Sequence, residues 1–184
     1  MNKLLTLIIA LVVIAGGFYL AFKKPAVVHD DNITVAPAVI TDFDECVAAG
    51  YGVMETYPKQ CKTPDGKSFT QNIGNETEMA DMIRIDSPRP NAKISSPLTI
   101  TGQARGTWYF EASFPIVLLD KNGAQIGSGI AQAKSDWMTE DFVPYSATVE
   151  FTAPASATGT LILKKDNPSG LPENDKQLTV PVKF

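Results

Sequence analysis

From residue 82 to the C-terminus, apolar and polar residues alternate along the chain. The run VPYSATVEF at residues 143–151 has its apolar side chains at every second position, and QLTVPVKF at residues 177–184 repeats the pattern. Successive side chains of a β-strand point to opposite faces of the sheet, so this period predicts strands that bury one face. Five further stretches have strand character, with turn residues between them: residues 82–86, 98–103, 108–120, 125–133 and 159–166.

These seven stretches, without a helical period among them, predict an all-β domain over residues 82–184. One apolar face per strand favours two sheets packed face to face, and the economical arrangement is an immunoglobulin-like β-sandwich of about seven strands. Pro115 interrupts the stretch 108–120. Because proline has no amide hydrogen to donate to a ladder, the sequence predicts an edge position or a bulge there.

The N-terminal part of the chain has a different pattern. Residues 4–22, LLTLIIALVVIAGGFYLAF, contain no charged side chain. At about 1.5 Å per helical residue this run can span a hydrocarbon core of about 30 Å. We therefore predict that residues 1–24 anchor the chain as a single transmembrane helix. The alternative is a cleaved signal peptide with its cleavage site in the small residues 15–17, and the protein would then be secreted.

A linker and a small module separate this segment from the β-rich region. Residues 25–41 show no sustained period and are typical of a linker. The module at residues 42–73 is too short to bury a sufficient core, and it contains both cysteines, Cys46 and Cys61. We predict a disulfide between them, which requires an oxidising compartment. The C-terminal part is therefore expected outside the cytoplasmic membrane.

Three stretches of the β-rich region resemble a known family: ISSPLTITGQARGTWYFEASFPIVLLDKNG, SDWMTEDFVPYSATVEFTAP and GTLILKKDNPSGLPENDKQLTVPVKF. Through them, residues 83–184 are similar to the immunoglobulin-like domain of bacterial spore germination. The resemblance implies a bacterial, extracytoplasmic, non-enzymatic sandwich that is often fused to other envelope modules. The two-cysteine module is similar to small units found beside such domains in envelope proteins.

The cysteine module has a second similarity. Its stretch YPKQCKTPDGKSFTQN resembles the central part of Kazal-type inhibitors, in which a cysteine precedes a DG turn and a short aromatic strand. This similarity makes a protease inhibitor a weaker alternative function.

The composition argues against nucleic acid binding and catalysis. The net charge is −4, and lysines are interspersed with acids rather than forming a basic stripe. The single histidine, His29, lies in the linker, and both cysteines are assigned to the disulfide. The usual catalytic triads and zinc sites therefore lack parts, and we expect no enzyme, no metal centre and no organic cofactor.

The stretch DNPSGLPEND at residues 166–175 has two interpretations. Its side-chain oxygens are candidates for a calcium site or a partner surface: Asp166, Asn167, Glu173 and Asp175. Alternatively the stretch is a stiff connection, in which prolines set the backbone path and the polar groups form turns. The sequence favours the connection, with calcium as the possible ligand.

The stretch SDWMTEDF at residues 135–142 is a second candidate surface. If Trp137 and Met138 are exposed, they form a hot spot for a partner, with Asp141 in an acidic rim. If Trp137 is buried, it plugs one end of the sandwich, and Asp136 or Thr139 closes a turn.

Arg105 is the third candidate for a binding surface. It precedes an aromatic stretch and can stack on an aromatic ring or pair with Glu111 or the region of Asp166. The alternative is a surface site for a glycan or a peptide.

These observations predict a bacterial envelope protein with a single pass through the cytoplasmic membrane, at residues 4–22. Its immunoglobulin-like domain would bind a protein or cell-wall partner outside the membrane. The alternative from another functional class is a structural spacer or assembly subunit of an envelope complex.

Overall fold

The computed structural model describes residues 39–184, of which residues 40–184 form one compact unit. The predicted anchor at residues 4–22, the greater part of the linker and His29 lie outside the described residues. Within residues 39–184, no helix is long and apolar enough to cross a membrane.

Within residues 39–184, the elements start in the two-cysteine module and continue into a β-rich region. The helices are α1 (Phe43–Ala48) and α2 (Glu76–Met79), with 3-10 helices η1 (Gly106–Trp108) and η2 (Pro172–Asn174). The module contains strands β1 (Gly52–Met54), β2 (Gln60–Lys62) and β3 (Ser68–Thr70). The larger sheet contains β4 (Ile83–Ser87), β5 (Leu98–Arg105), β6 (Ser113–Asp120), β7 (Gln125–Ala133), β8 (Phe142–Phe151), β9 (Thr158–Lys164) and β10 (Gln177–Lys183).

The module consists of α1 and a three-stranded antiparallel sheet held by the disulfide. The Asp42 carboxylate caps α1 by accepting a hydrogen bond from the Glu45 amide at 2.8 Å, and Gly50 follows the helix with a φ of 80°. Cys46 in α1 is bonded to Cys61 in β2, and both are fully buried. The predicted disulfide is confirmed, and it links the helix to the central strand of the module.

The larger sheet is antiparallel, in the order β10-β9-β6-β7-β8-β5-β4. The segment after β4 returns to β10, where the Ile94 amide donates to the Lys183 carbonyl at 2.8 Å. The rings of Phe151 in β8 and Phe184 after β10 lie 5.7 Å apart, although three strands separate β8 from β10. A flat sheet would hold those strands about 19 Å apart, since neighbouring strands are about 4.8 Å apart. The sheet therefore folds over on itself into the two layers of a sandwich.

The core lies between these layers and follows the predicted alternation. In β8, Val143, Tyr145, Ala147 and Val149 are buried while the residues between them face outward. The Phe114 ring lies 5.0 Å from the Tyr145 ring in an edge-to-face contact. These large inward-facing side chains stabilise the domain without any disulfide of its own.

The strand predicted over residues 108–120 is wrong in its first part. The chain forms η1 up to Trp108, then passes through Glu111 and Ala112 with φ of 47° and 61°, and β6 begins only at Ser113. The physical reason is packing: Trp108 is fully buried, and Tyr109 donates a hydrogen bond to the Val143 carbonyl at 2.7 Å. Both aromatic residues enter the core at one end of the sandwich, which a continuous strand would not allow.

The edge position predicted for Pro115 is present only locally, because β6 itself is an inner strand of the sheet. Pro115 pairs with Ile130 in β6, which lies between β9 and β7 in the sheet, and the irregularity of β6 is at Leu118. The ladder between β6 and β9 begins only at Ile116. Pro115 therefore has a neighbouring strand on one side, and its missing amide hydrogen does not interrupt the second ladder.

The segment that joins the module to the sandwich docks on the edge of β10. The side-chain nitrogen of Asn75 donates to the Gln177 carbonyl at 2.9 Å, and its side-chain oxygen accepts from the backbone amide of Thr179 at 2.7 Å. Gly74 has a φ of 70° and packs so closely that a Cβ atom there would overlap the Thr179 carbonyl oxygen. The polar residues 74–81 are therefore part of the sandwich edge.

A buried carboxylate completes this junction. Glu76 is only 9% exposed, accepts a hydrogen bond from the Tyr57 hydroxyl and pairs with Arg89 Nη1 at 2.7 Å. Arg89 Nη2 also donates to the Tyr57 oxygen at 2.6 Å. Burial, followed by the hydrogen bond to Glu76, raises the pKa of Tyr57 to about 12. Tyr57 therefore stays a neutral donor near pH 7, and the three side chains tie the module, α2 and the end of β4 together.

Candidate binding surface

Two arginines share one aromatic ring on the outer face of the sandwich. Arg105 in β5 lies opposite Phe142 in β8, and Arg84 in β4 lies opposite Gln103 in β5. The guanidinium carbons of Arg84 and Arg105 lie 4.2 and 4.6 Å from the centre of the Phe142 ring. Both distances are within the range of a cation–π interaction. We refer to Arg84, Gln103, Arg105 and Phe142 as the arginine surface.

Backbone carbonyls hold both guanidinium groups in place. Arg84 Nε donates to the Ala80 carbonyl at 2.8 Å, and Arg105 Nε donates to the Asp81 carbonyl at 2.8 Å. Arg105 Nη1 also donates to the Glu140 carbonyl at 2.9 Å. The segment before β4 and the segment before β8 therefore position the two cations.

Neither arginine has a carboxylate partner in the part of the chain that the structure describes. The cations of the four ion pairs there are Lys59, Lys67, Arg89 and Lys183. Arg105 stacks on an aromatic ring, as one of its predicted roles required, and it pairs with neither Glu111 nor Asp166. Both guanidinium groups therefore remain available to an external anion, although the neighbouring segments contain acids and the chain as a whole carries a net charge of −4.

The stretch 135–142 runs beside Arg105. The Asp136 carboxylate accepts from the Met138 amide at 3.0 Å, and the Thr139 hydroxyl accepts from the Asp141 amide at 3.2 Å. Both residues proposed to close a turn therefore do so. Trp137 is half-buried and packs against the core.

Met138, in contrast, is 76% exposed. Gly106, the neighbour of Arg105, donates its amide to the Asp141 carbonyl at 3.2 Å. A Cβ atom at Gly106 would overlap the carbonyl oxygens of Trp137 and Thr139, so η1 and this stretch are in close contact. Four of the candidate residues therefore lie in one region of the surface: Arg105, Trp137, Met138 and Asp141.

Sequence reasoning missed Arg84, Gln103 and Phe142 as members of this site. Arg84 and Arg105 are both outward-facing positions in the alternation, which is a signal present in the sequence. Their convergence on Phe142 depends on β5 lying between β4 and β8, which no local pattern specifies.

Tyr145 supports the surface from inside the sandwich. Its hydroxyl donates to the Arg84 carbonyl at 3.0 Å, and burial raises the pKa of this hydroxyl well above its usual value. Gly102 makes this contact possible, because a Cβ atom there would overlap both the Arg84 carbonyl and the Tyr145 hydroxyl. The backbone of β4 beneath Arg84 is thereby fixed to the core.

The connection at residues 166–175 bonds mainly to itself. The Asn167 amide donates to the Leu171 carbonyl at 2.9 Å and to the Asp175 carboxylate at 2.7 Å. Ser169 accepts from the Asn174 amide at 3.0 Å. Asp166 is held through its amide, which donates to the Trp108 carbonyl at 3.0 Å. Among residues 39–184, no group of three or more acidic, histidine or cysteine side chains is arranged to hold a metal ion.

We expect calcium to leave the stability of residues 40–184 unchanged. An ion at the 166–175 connection would have to displace the Asn167 amide from Asp175, and the loop offers no preformed carboxylate cage. The measurement is thermal unfolding with millimolar calcium and with a chelator. A melting temperature several degrees higher with calcium would contradict this expectation and make the connection a ligand site.

A groove of about 490 Å³ is lined by residues other than those of the arginine surface. It runs between the start of α1, the end of β3 and the adjoining ends of β9 and β10. Asp44 and Lys183 form an ion pair at 3.3 Å on its lining. Its two aspartates and two lysines, including that pair, give the groove no dominant charge, in contrast to the arginine surface.

Residues 82–170 match the family model of the immunoglobulin-like domain of bacterial spore germination. The resemblance drawn from the sequence is confirmed. No curated protein and no solved structure matches the chain. The matched range includes the arginine surface and ends before β10, and the two-cysteine module precedes it.

Proposed function

Because residues 82–170 belong to the family of immunoglobulin-like domains of bacterial spore germination, we propose that the chain is a non-enzymatic binding protein of the bacterial envelope. Residues 4–22 hold it in the cytoplasmic membrane. The disulfide module and the sandwich face the outside, where the sandwich binds a partner.

Two observations support the location. A fully buried disulfide joins α1 to β2 in a module with a small core, and such bridges persist in oxidising compartments. The uncharged run at residues 4–22 has the length of a membrane span. Together they support an anchor followed by an extracytoplasmic region.

The arginine surface is the observation that carries the binding role. A guanidinium group without a carboxylate partner is a strong hydrogen-bond donor for an external anion. Within residues 39–184, Arg84 and Arg105 both have this character, and they lie on strands of the sheet rather than on a loop. A surface of this kind supports recognition of a partner, whereas it supplies no nucleophile or general base.

A structural spacer is the second candidate function, and the junction at β10 favours it. Asn75 and the pair of Glu76 with Arg89 fasten the module to the sandwich, as a rigid spacer requires. A partner that is retained by residues 40–184 alone supports binding by the sandwich. A partner that requires residues 1–39 supports assembly through the anchor.

The location is tested by expressing the full chain with a C-terminal epitope in a bacterial host. We expect the epitope in the membrane fraction after an alkaline wash, and we expect protease added to spheroplasts to remove it. Cys46 and Cys61 should react with a maleimide reagent only after reduction. A matched control carries three lysines within residues 4–22, which should abolish membrane retention.

Two results would contradict the proposal. One is an epitope protected from protease until the cells are lysed. The other is cysteines that react with the reagent in intact cells without prior reduction.

A further inference from the structure

We propose that the arginine surface, extended by Met138, recognises a carboxylate-bearing segment of a partner protein, with an apolar side chain beside the acid. This inference rests on the proposed function and names the partner's chemistry. The arginine pair supplies the charge, and Met138 supplies the apolar contact.

Both arginines have side-chain N–H groups that are free to bind a ligand. Arg84 uses Nε alone, and Arg105 uses Nε and Nη1, for backbone carbonyls. Arg84 Nη1 and Nη2 and Arg105 Nη2 have no acceptor among residues 39–184. A carboxylate accepts two parallel N–H bonds from a guanidinium fork, so Arg84 has the geometry to bind one.

The two arginine side chains are preorganised for binding. A free arginine side chain loses considerable rotamer entropy on binding, and this loss opposes association. Here the Phe142 ring and three backbone carbonyls already restrict both side chains. A ligand therefore meets two oriented cations at a small entropic cost.

The charges around the arginine surface favour the binding of a single carboxylate. Two cations on one ring repel each other, and no carboxylate in the described part of the chain forms an ion pair with either of them. An incoming carboxylate removes part of this repulsion. Asp81, Glu140 and Asp141 lie in the segments that frame the site and are exposed. Their charges disfavour a dense polyanion, and they leave room for a single acid.

Exposed apolar side chains beside the arginines can contact an apolar side chain of the partner. Met138 is 76% exposed in the stretch whose carbonyl at Glu140 binds Arg105. Exposed Pro144 lies opposite Gln103 on the same face. Arginine, methionine and aromatic side chains are enriched at protein interfaces, which points to a protein partner rather than a sugar polymer.

The test uses the purified full chain and an array of capped hexapeptides. Each peptide with Asp or Glu next to Leu, Ile, Met or Phe is matched by its Asn or Gln counterpart. We expect acidic peptides to bind, and their amide counterparts to bind at least tenfold more weakly. The best acidic peptide is then titrated against variants of the chain.

The variants Arg84→Gln and Arg105→Gln should each lower the affinity at least tenfold. Lys121→Gln makes the same change in charge at an exposed turn between β6 and β7 and should leave the affinity unchanged. If either arginine variant fails to fold, Met138→Ala replaces it, since this exposed side chain should lower affinity several-fold without affecting folding.

Three outcomes would overturn the inference: equal binding of acidic and amide peptides, unchanged affinity in the arginine and Met138 variants, or no bound peptide. Competition by inorganic polyphosphate as strong as by the acidic peptide would also overturn it, because it would indicate general polyanion binding. If the peptides do not bind but the epitope is found outside the membrane, the inference on the partner is wrong and the proposed location is still supported. An epitope inside the cell would contradict the proposed function whatever the peptides show.

Discussion

Replacing Gly74 by alanine is expected to lower the free energy of unfolding of residues 40–184 by about 2–5 kcal/mol. Gly74 has a φ of 70°, which disfavours any side chain, and a Cβ atom would overlap the Thr179 carbonyl oxygen. The clash pushes the joint away from β10, where Asn75 makes hydrogen bonds to Gln177 and Thr179. Urea unfolding followed by circular dichroism measures the change.

Gly123→Ala is the matched control for this variant. Gly123 also has a positive φ, 83°, but a Cβ atom there would meet no atom within 4 Å. We expect it to cost only the backbone term, about 1–2 kcal/mol. Equal destabilisation by the two variants would show that the contact between the joint and β10 contributes nothing, contrary to the structure.

The double variant Cys46→Ala/Cys61→Ala is expected to destabilise the module by about 3 kcal/mol, the value for a closed loop of 15 residues. The loss should be local, because the sandwich has a core of its own and no cysteine. Amide hydrogen exchange should therefore speed up in α1 and β1–β3, whereas β5, β8 and β9 keep their protection.

Val47→Ala serves as the control for the cysteine variant. Val47 lies next to Cys46 in α1, but it is 41% exposed and should cost little. If hydrogen exchange in the double variant matches that of the unmodified chain, the disulfide is not what holds the module together. If β5 and β8 lose protection as well, the module and the sandwich unfold together.

These two experiments also bear on function. The junction of Asn75, Glu76 and Arg89 connects the module to the sandwich through side-chain contacts. A partner bound at the arginine surface would therefore be presented in one orientation relative to the module. Tethering such a unit to a membrane raises its local concentration and allows weak contacts to be effective.

The match between sequence and structure was closest where the information is local. The period of two in residues 143–151 specified both strand and inward face, since each side chain alternates with its neighbour. The disulfide could be predicted from the sequence because the chain contains only two cysteines, which can pair only with each other within one chain.

The errors arose where distant residues decide the local structure. Tyr109 belongs to a strand-like stretch, yet its hydroxyl bonds to the carbonyl of Val143, and the chain turns to allow it. Pro115 suggested an edge strand, whereas β6 is an inner strand and the edge at Pro115 is local, since the ladder to β9 begins only at Ile116. The tight packing of Gly74 against Thr179 spans more than a hundred residues of chain and has no local signal.

By itself, the sequence determined the β-rich class, most of the strand positions, the disulfide and the resemblance to the family, together with several of the candidate side chains. The tertiary structure alone decided that Arg84 joins Arg105 on Phe142 and that neither has a carboxylate partner within residues 39–184. It also decided that Glu76 is buried against Arg89. The physical reason is the range of the interactions. Alternation, caps and turns act within a few residues, whereas the order of strands in a folded sheet sets which side chains from distant segments meet.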